Sequence, residues 1–163
     1  MKLKLLTMAA MALALQGCGT SASCGDSGTV QLIKDDFYNK VAGFMPQESA
    51  DALQQIKNRV KLTLSTITTD NQDPQVGKYW CSAVMQADLS SDAKDLVPAL
   101  ENAIGDASVR GISLGVHQDG KTLTANISYT SQLTEDKQHV IQLGGDEGMA
   151  RLLAAFGMNG VFK

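Results

Sequence analysis

Three residues in the second half of the chain have the types and the order of a catalytic set for ester hydrolysis. Ser113 lies in Gly111-Ile-Ser-Leu-Gly115, a G-x-S-x-G pattern in which serine can act as a nucleophile, and Asp136 and His139 follow as acid and base. A nucleophile of this kind stands on a sharp turn from a strand into a helix. Here the hairpin signal Asp119-Gly120 follows instead, so Ser113 is predicted to lie within a strand. A small hydrolase using Ser113 is therefore a distant alternative.

Two further groups of residues could in principle bind ions. His117 and His139 can meet only across neighbouring strands, and the sequence places no further ligands beside them, so we expect edge or surface histidines and no metal site. Gly144-Gly-Asp-Glu-Gly148 precedes a predicted helix, but its two acids oppose an anion and the lysine of a phosphate loop is missing. We interpret Asp146 and Glu147 as acids of the first helical turn. The sequence predicts no cofactor and no catalytic residue.

Trp80 is the candidate contact residue of the sequence. It stands between Tyr79 and Cys81 at the start of a predicted strand. If the odd-numbered side chains of this strand face the core, Trp80 faces outward together with Val84. A solvent-side tryptophan is a natural contact for a partner, because aromatic residues are enriched in interface hot spots. Helices could equally cover this side chain, and the sequence leaves both arrangements open.

The first eighteen residues have the build of a targeting segment. Lys2 and Lys4 give a basic start, and the stretch from Leu5 to Leu15 is apolar apart from Thr7. At roughly 11 residues, this stretch is too short to span a hydrocarbon layer about 30 Å thick. It has instead the length of the apolar region of a signal peptide.

The end of this segment, Leu15-Gln-Gly-Cys18, resembles the lipobox of bacterial lipoproteins. The resemblance implies that residues 1–17 are a signal peptide, that the Cys18 sulfur receives a diacylglycerol and that the new amine is acylated, with palmitate as a typical chain. Two or more acyl chains hold a protein stably at a membrane. Gly19 follows the cysteine, which in this family favours the outer membrane with the domain in the periplasm. An ordinary secretory signal with a coincidental cysteine is the alternative.

Lipidation of Cys18 leaves Cys24 and Cys81 as an even pair. In an oxidising envelope compartment such a pair is most simply one disulfide bond, and two independent thiols are the alternative. The closed loop would stabilise the fold by about 4 kcal/mol in the chain-entropy model. Only six residues would then separate the anchor from the first fixed point, a reach of at most ~20 Å, so we expect the domain close to the bilayer.

The charge balance argues against a nucleic-acid partner. The chain has 14 basic and 17 acidic residues, and removal of Lys2 and Lys4 leaves 12 basic ones, a net charge of −5. A mildly acidic domain has no electrostatic footprint for nucleic acid. Residues 18–163 are enough for a single domain with its own core.

Apolar residues at helical spacing predict four helices. We expect the first from about Thr29, ended by Pro46, the second from Ser49 as far as Asn58, and a third after a Ser90-Ser-Asp92 cap, with Pro98 either at a kink or in the first turn. Gly157 is predicted to end the fourth. The apolar faces are Val30, Ile33, Phe37, Val41 and Phe44, then Leu96, Val97, Leu100 and Ile104, then Met149, Leu152, Leu153 and Phe156.

Alternation of apolar and polar residues predicts five strands. They cover 60–69, 79–89, 109–117, 122–133 and 139–143, with a polar loop from Asp70 to Gly77. One wet face on the fourth strand indicates an antiparallel sheet covered on one side. We therefore expect an α+β domain in which helices pack on one face of a roughly five-stranded antiparallel sheet. Residues 18–28 are interpreted as the lipidated cysteine and a short linker, and residues 29–163 as the globular domain.

Short stretches of this domain, Gly77-Lys-Tyr-Trp-Cys-Ser-Ala, Ile127-Ser-Tyr-Thr-Ser and Thr134-Glu-Asp-Lys, resemble small bacterial envelope lipoproteins of undefined function. The resemblance implies no catalytic or binding residue. The sequence as a whole predicts a lipid-anchored cell-envelope binding or accessory protein without catalytic activity, whose partner is another envelope protein or a cell-wall component. An inhibitor or immunity lipoprotein that protects against an envelope-acting toxin or enzyme is the alternative.

Overall fold

Two strands of twelve residues form the centre of a five-stranded antiparallel sheet. The computed structural model describes residues 22–90, 96–110 and 113–159. Its elements in chain order are α1 (Ser27–Gly43), α2 (Ala50–Arg59), β1 (Val60–Asp73), β2 (Lys78–Leu89), α3 (Leu96–Val109), β3 (Val116–Asp119), β4 (Thr122–Leu133), β5 (His139–Gly144) and α4 (Glu147–Met158). The strand order is β1-β2-β4-β3, and β5 pairs with the remainder of β4. The predicted α+β fold is confirmed.

The inward face of the sheet is set by alternation along β2 and β4. Their odd-numbered side chains are buried, apart from the half-buried Tyr79 and Leu133, and their even-numbered ones point the other way. The buried side chains join those of the helices in one apolar core. The sheet contributes Cys81, Ala83, Met85, Ala87, Leu89, Leu123, Ala125, Ile127 and Tyr129, and the helices contribute Ile33, Phe37, Val41, Ile56, Leu100, Met149, Leu152, Leu153 and Phe156. The helices therefore pack on one face of the sheet, as expected from the one-sided alternation.

The first helix begins earlier than its apolar stripe predicts. The side chain of Asp26 accepts a hydrogen bond from the backbone N–H of Gly28 at 2.9 Å and so caps α1. The buried row of α1 is Thr29, Ile33, Phe37 and Val41, whereas Val30 and Phe44 are only half-buried. Residues before position 29 are already packed against the fold, because Ala22 and Cys24 are buried.

The third strand is much shorter than predicted, and the expectation of a strand over 109–117 is wrong. Helix α3 continues to Val109, Arg110 lies in a turn, and β3 covers only Val116–Asp119. Two physical reasons account for this. Gly115 has a φ of +61°, which a strand does not adopt. In addition, β5 pairs with Ser128–Leu133, so only the first half of β4 is left for β3, which pairs with Thr122–Ala125.

The first strand is longer than predicted. Instead of ending in a polar loop at Asp70, β1 continues to Asp73 and pairs with the start of β2, so that the turn covers only 74–77. The added pairing is irregular, with register shifts after Ser65 and after Thr69. Backbone hydrogen bonding to β2 outweighs the low strand propensity of these polar residues.

Pro98 lies in the first turn of α3, where a proline breaks no helical hydrogen bond. Gly157, predicted as a stop, lies inside α4 instead. A Cβ added there would come within 2.6 Å of the Ile56 side chain, so Gly157 is a point of close approach between α2 and α4. The lipobox with Cys18, the cap residues Ser91 and Asp92, and Gly111 with Ile112 lie outside the described residues.

Candidate partner-binding face of the sheet

The face of the sheet opposite the helices is formed by the even-numbered side chains of β2 and β4, and we call it the open face. Its central residues are half-buried or exposed and mostly polar. They are Trp80, Ser82, Val84 and Gln86 on β2 and Thr124, Asn126, Ser128 and Thr130 on β4. Trp80 keeps 36% of its surface exposed. The alternation therefore places Trp80 outward with Val84, and the helices do not cover it.

A groove of about 360 Å³ lies on the open face next to Trp80. Trp80 pairs across the sheet with Thr130, which pairs in turn with Gln142. The Lys78 ammonium lies 5.2 Å from the centre of the Trp80 ring, within the range of a cation–π contact. Asp70 borders the same groove. The groove thus combines one large aromatic side chain with hydroxyl, amide and carboxylate groups.

A second groove of about 400 Å³ continues along the open face from Ser128. It reaches Val84 and Asn126 on the central strands and Thr66 on β1. Thr66 has a φ of +50°, a conformation that costs a non-glycine residue about 1–2 kcal/mol. It lies at the first register shift of β1, so the irregularity of this edge strand shapes the groove.

Asp70 is held in place by two hydroxyl groups of the same region. Thr68 Oγ1 donates to one carboxylate oxygen at 3.1 Å, and Ser82 Oγ donates to the other. A carboxylate that accepts two fixed hydrogen bonds is oriented rather than free to rotate. Asp70 therefore presents an oriented carboxylate to the groove next to Trp80.

The predicted disulfide lies directly beneath this part of the open face. Cys24 and Cys81 are bonded, with their Cα atoms 5.8 Å apart, which confirms the pairing expected from the cysteine count. Tyr129 Oη donates to the Cys24 carbonyl at 2.7 Å, and Thr69 Oγ1 lies 3.2 Å from the Cys24 sulfur. The segment around Cys24 is thus fixed to β1, β2 and β4 at once.

Tyr129 makes this attachment sensitive to alkali. Burial, and then the charge of Asp70, raise the pKa of Tyr129 from its usual 10 to about 12. The unfolded chain releases this proton near pH 10, so between pH 10 and 12 only the folded state keeps it. The stabilisation from this group is therefore complete below pH 10 and is lost as the pH rises through 12.

We expect the Tyr129→Phe variant to lower the free energy of unfolding by about 1 kcal/mol at pH 8, because the Cys24 carbonyl loses its donor. Between pH 10 and 12 the wild type should lose stability relative to this variant, which has no proton to release. Urea denaturation across this pH range measures both effects. Parallel pH profiles for the two proteins would contradict the assignment.

The sequence did not reveal a buried polar cluster that lies, like the disulfide, near the start of β2. Ser131 Oγ lies 2.8 Å from His139 Nε2, and Thr29 Oγ1 lies 3.2 Å from the same nitrogen and 3.3 Å from Ser131 Oγ. Thr29 also donates to the Ser23 carbonyl at 2.8 Å. The signal was Ser131 itself, a polar residue at an inward position, since a buried hydroxyl needs a partner.

This serine–histidine pair has no access to a substrate in the structure. Ser131 and Thr29 are both fully buried. A nucleophile must be within reach of the reacting atom, so a buried hydroxyl of this kind serves to join elements. The cluster ties the first turn of α1 to β4 and β5.

The three residues of the candidate hydrolytic set are not brought together. Ser113 lies in an irregular segment before β3, not within a strand as expected, and it borders the groove formed with Gly145 and Gly148. His139 is paired with Leu133 at the far end of β4, and Asp136 lies in the turn before it. Gly145, which borders the same groove as Ser113, lies six residues along the chain from His139, just past the end of β5. At roughly 3.3 Å per residue, about 20 Å therefore separates Ser113 from His139.

The two histidines also lie far apart. His117 pairs with Thr124 and His139 pairs with Leu133, nine positions further along the same strand. This separation of roughly 30 Å excludes a shared metal ion. Within the described ranges, no three histidine, cysteine or acidic side chains are grouped as metal ligands.

Asp146 has a role that differs from the predicted one. It stands at the N-cap position of α4, but its side chain makes no capping hydrogen bond. It is fully buried instead, and one carboxylate oxygen accepts a hydrogen bond from Lys40 Nζ at 2.8 Å. Lys40 also donates to the Leu143 carbonyl at 2.8 Å, so this ion pair joins α1 to the junction of β5 and α4.

Comparison with known proteins adds no assignment to this geometry. No family model matches the chain, and no curated protein and no solved structure is significantly similar to it. In the part of the chain that the structure describes, no helix combines the length and the apolar character needed to cross a bilayer.

Proposed function

We propose that this chain is a bacterial lipoprotein that binds a partner in the cell envelope and has no catalytic activity of its own. Its anchor is the lipidated Cys18 at the outer membrane, and its domain faces the periplasm. The partner is another envelope protein or a cell-wall component. It contacts the open face of the sheet.

One observation carries the binding role, namely that the helices pack on one face of the sheet and leave the other open. An antiparallel sheet of this kind needs only one covered face for stability. The open face has two adjoining grooves that share Ser128 and offer hydroxyl, amide and carboxylate groups. Such directed polar groups around an aromatic residue fit specific recognition better than plain solvation.

Two features support the envelope as the place of action. The Cys24–Cys81 disulfide suits an oxidising compartment. The sequence from Lys2 to Cys18 has the basic start, the apolar stretch and the cysteine of a lipoprotein precursor. Ser113, the candidate nucleophile of the G-x-S-x-G pattern, lies far from the acid and base expected to serve it, which supports a binding role over hydrolysis.

Site-specific photo-crosslinking in intact cells tests the proposal. A benzophenone side chain at Asn126 lies on the open face, and the same side chain at Asn39 lies on α1, on the helical side. Both asparagines are exposed, so the two variants are matched. We expect a defined crosslinked envelope component from position 126 and none from position 39.

The opposite pattern, with products from position 39 alone, would overturn the assignment of the face. A crosslink from position 126 to a toxin or enzyme delivered to the envelope would identify the inhibitor role instead of the accessory one.

A further inference from the structure

The anchored start of the chain emerges at one end of the sheet. We call this the tether end, and it consists of the 74–77 turn, the first residues of β2 and the turn between β4 and β5. Ala22 is buried, and Cys24 is bonded to Cys81 near the start of β2. The four residues from Cys18 to Ala22 reach at most ~14 Å. This end must therefore lie close to any lipid attached to Cys18.

The tether end carries most of the exposed apolar side chains. The structure exposes four large apolar side chains among the described residues, and three of them are here: Val76 at 58%, Trp80 at 36% and Val140 at 39%. The register aligns Lys78 with Gln132 and Gln132 with Val140, so Val140 projects from the open face, as Trp80 does. Val76 lies in the turn that forms the tip of the β1–β2 hairpin.

We propose that the tether end rests on the lipid surface, with Val76, Trp80 and Val140 in the interfacial layer. This inference rests on the proposed lipid anchor. The tip of the hairpin extends about 13 Å beyond Cys81, at roughly 3.3 Å per residue. The six residues from Cys18 to Cys24, which is bonded to Cys81, reach at most ~20 Å, so the tether is long enough for the tip to lie at the level of the anchor when the domain stands upright on the membrane.

The chemistry of these side chains suits the interface between lipid and water. Tryptophan is enriched there because its ring is apolar while its N–H forms hydrogen bonds. Lys78, stacked on Trp80, can bury its methylene groups and direct its ammonium group toward headgroups. Apolar side chains exposed to solvent lose contact with water on docking, which favours the contact.

The contact should not depend on anionic lipid. The turn between β4 and β5 carries Glu135, Asp136 and Lys137, and Asp73 ends β1 opposite Lys78, so the tether end has no excess of positive charge. Basic clusters attract anionic membranes, whereas docking here depends on the apolar side chains of Val76, Trp80 and Val140. Neutral phosphatidylcholine is therefore a sufficient probe.

Docking in this way divides the open face. The groove next to Trp80 lies at the lipid surface, while Val84 and Asn126 lie about 13 Å further along the strands. The second groove thus remains in the aqueous compartment. That region is the part of the open face left for the envelope partner.

The chain offers a direct probe, because Trp80 is its one tryptophan. The full lipidated protein is reconstituted into phosphatidylcholine vesicles with or without brominated acyl chains, which quench indole fluorescence on contact. We expect Trp80 to lose roughly half of its fluorescence in brominated vesicles, as an indole at the headgroup level should.

A relocated tryptophan is the matched control. Trp80→Phe combined with Gln86→Trp keeps one tryptophan on the open face but moves it about 20 Å along β2. Its fluorescence should be the same in both kinds of vesicle. Equal quenching at position 86, or no quenching of Trp80 in protein that floats with the vesicles, would overturn the inference and leave the anchor intact. If the protein isolated from cells carries an unmodified Cys18 and fails to float with the vesicles, the lipid anchor is overturned, and with it this docking.

Discussion

The Cys18→Ser variant should leave the membrane fraction completely. Serine has no sulfur to accept a thioether-linked diacylglycerol, so the variant carries no acyl chain at position 18. Burial of each acyl methylene stabilises membrane attachment by about 0.8 kcal/mol, so loss of the chains removes essentially all of the binding. Fractionation of cells into soluble and membrane material, followed by immunoblotting, measures the effect.

Loss of the other two cysteines is the control for this experiment. The double variant Cys24→Ser and Cys81→Ser loses the disulfide but keeps Cys18, so its remaining folded protein should stay with the membrane. A Cys18→Ser protein that remains membrane-bound would defeat the anchor hypothesis. It would also remove the reason for placing the tether end at a lipid surface.

The Ile127→Asp variant should fail to fold. Ile127 is 3% exposed and lies in the middle of β4, against the core. A carboxylate there has no partner, and its burial costs several kcal/mol, a large part of the 5–15 kcal/mol that stabilises a typical domain. Far-ultraviolet circular dichroism during heating measures the loss of the cooperative transition.

The neighbouring residue supplies a control of the same chemistry. Asn126→Asp introduces a carboxylate of nearly the same size one position earlier, where the side chain is exposed on the open face. Its melting temperature should stay close to that of the wild type. Cooperative melting of Ile127→Asp at the wild-type temperature would show that the inward and outward faces of β4 are assigned the wrong way round.

The Val30→Asp variant tests a position whose burial differs between the sequence-based expectation and the structure. The helical stripe predicts that Val30 is as critical as Ile127, but Val30 is half-buried while Thr29 occupies the core-facing position. The aspartate at position 30 can reach water, so its cost should be smaller than that at position 127. Thr29 faces inward because its hydroxyl has hydrogen-bond partners at the Ser23 carbonyl and in the Ser131–His139 pair.

The ion pair between Lys40 and Asp146 has a structural role, because it joins α1 to the junction of β5 and α4. The segment Gly144-Gly-Asp-Glu-Gly148 resembles a ligand-binding loop in its sequence, but its buried acid, Asp146, forms an ion pair with Lys40 of α1. The buried Asp146 charge requires a partner, because removal of the lysine leaves an uncompensated buried charge at a cost of about 3–5 kcal/mol. Gly148 is needed for close packing, because a Cβ at this position would collide with the Leu114 carbonyl.

Local patterns in the sequence were sufficient for much of the architecture. The alternation of β4 predicts which side chains enter the core, and the spacing of Met149, Leu152, Leu153 and Phe156 predicts the buried side of α4. The even pair of cysteines predicts the Cys24–Cys81 bond. These features depend on side-chain periodicity and on parity, both of which are properties of the chain read along its length.

Contacts between distant segments decided the rest. The limits of β3 depend on how β5 shares β4, and the place of Gly157 depends on Ile56 of another helix. The Thr29–Ser131–His139 cluster joins residues about a hundred positions apart. The second groove of the open face includes Thr66, which lies at a register shift of β1. Periodicity fixes which way a side chain points, but only the packed structure determines what it meets, because that depends on segments that are neighbours in space and not in sequence.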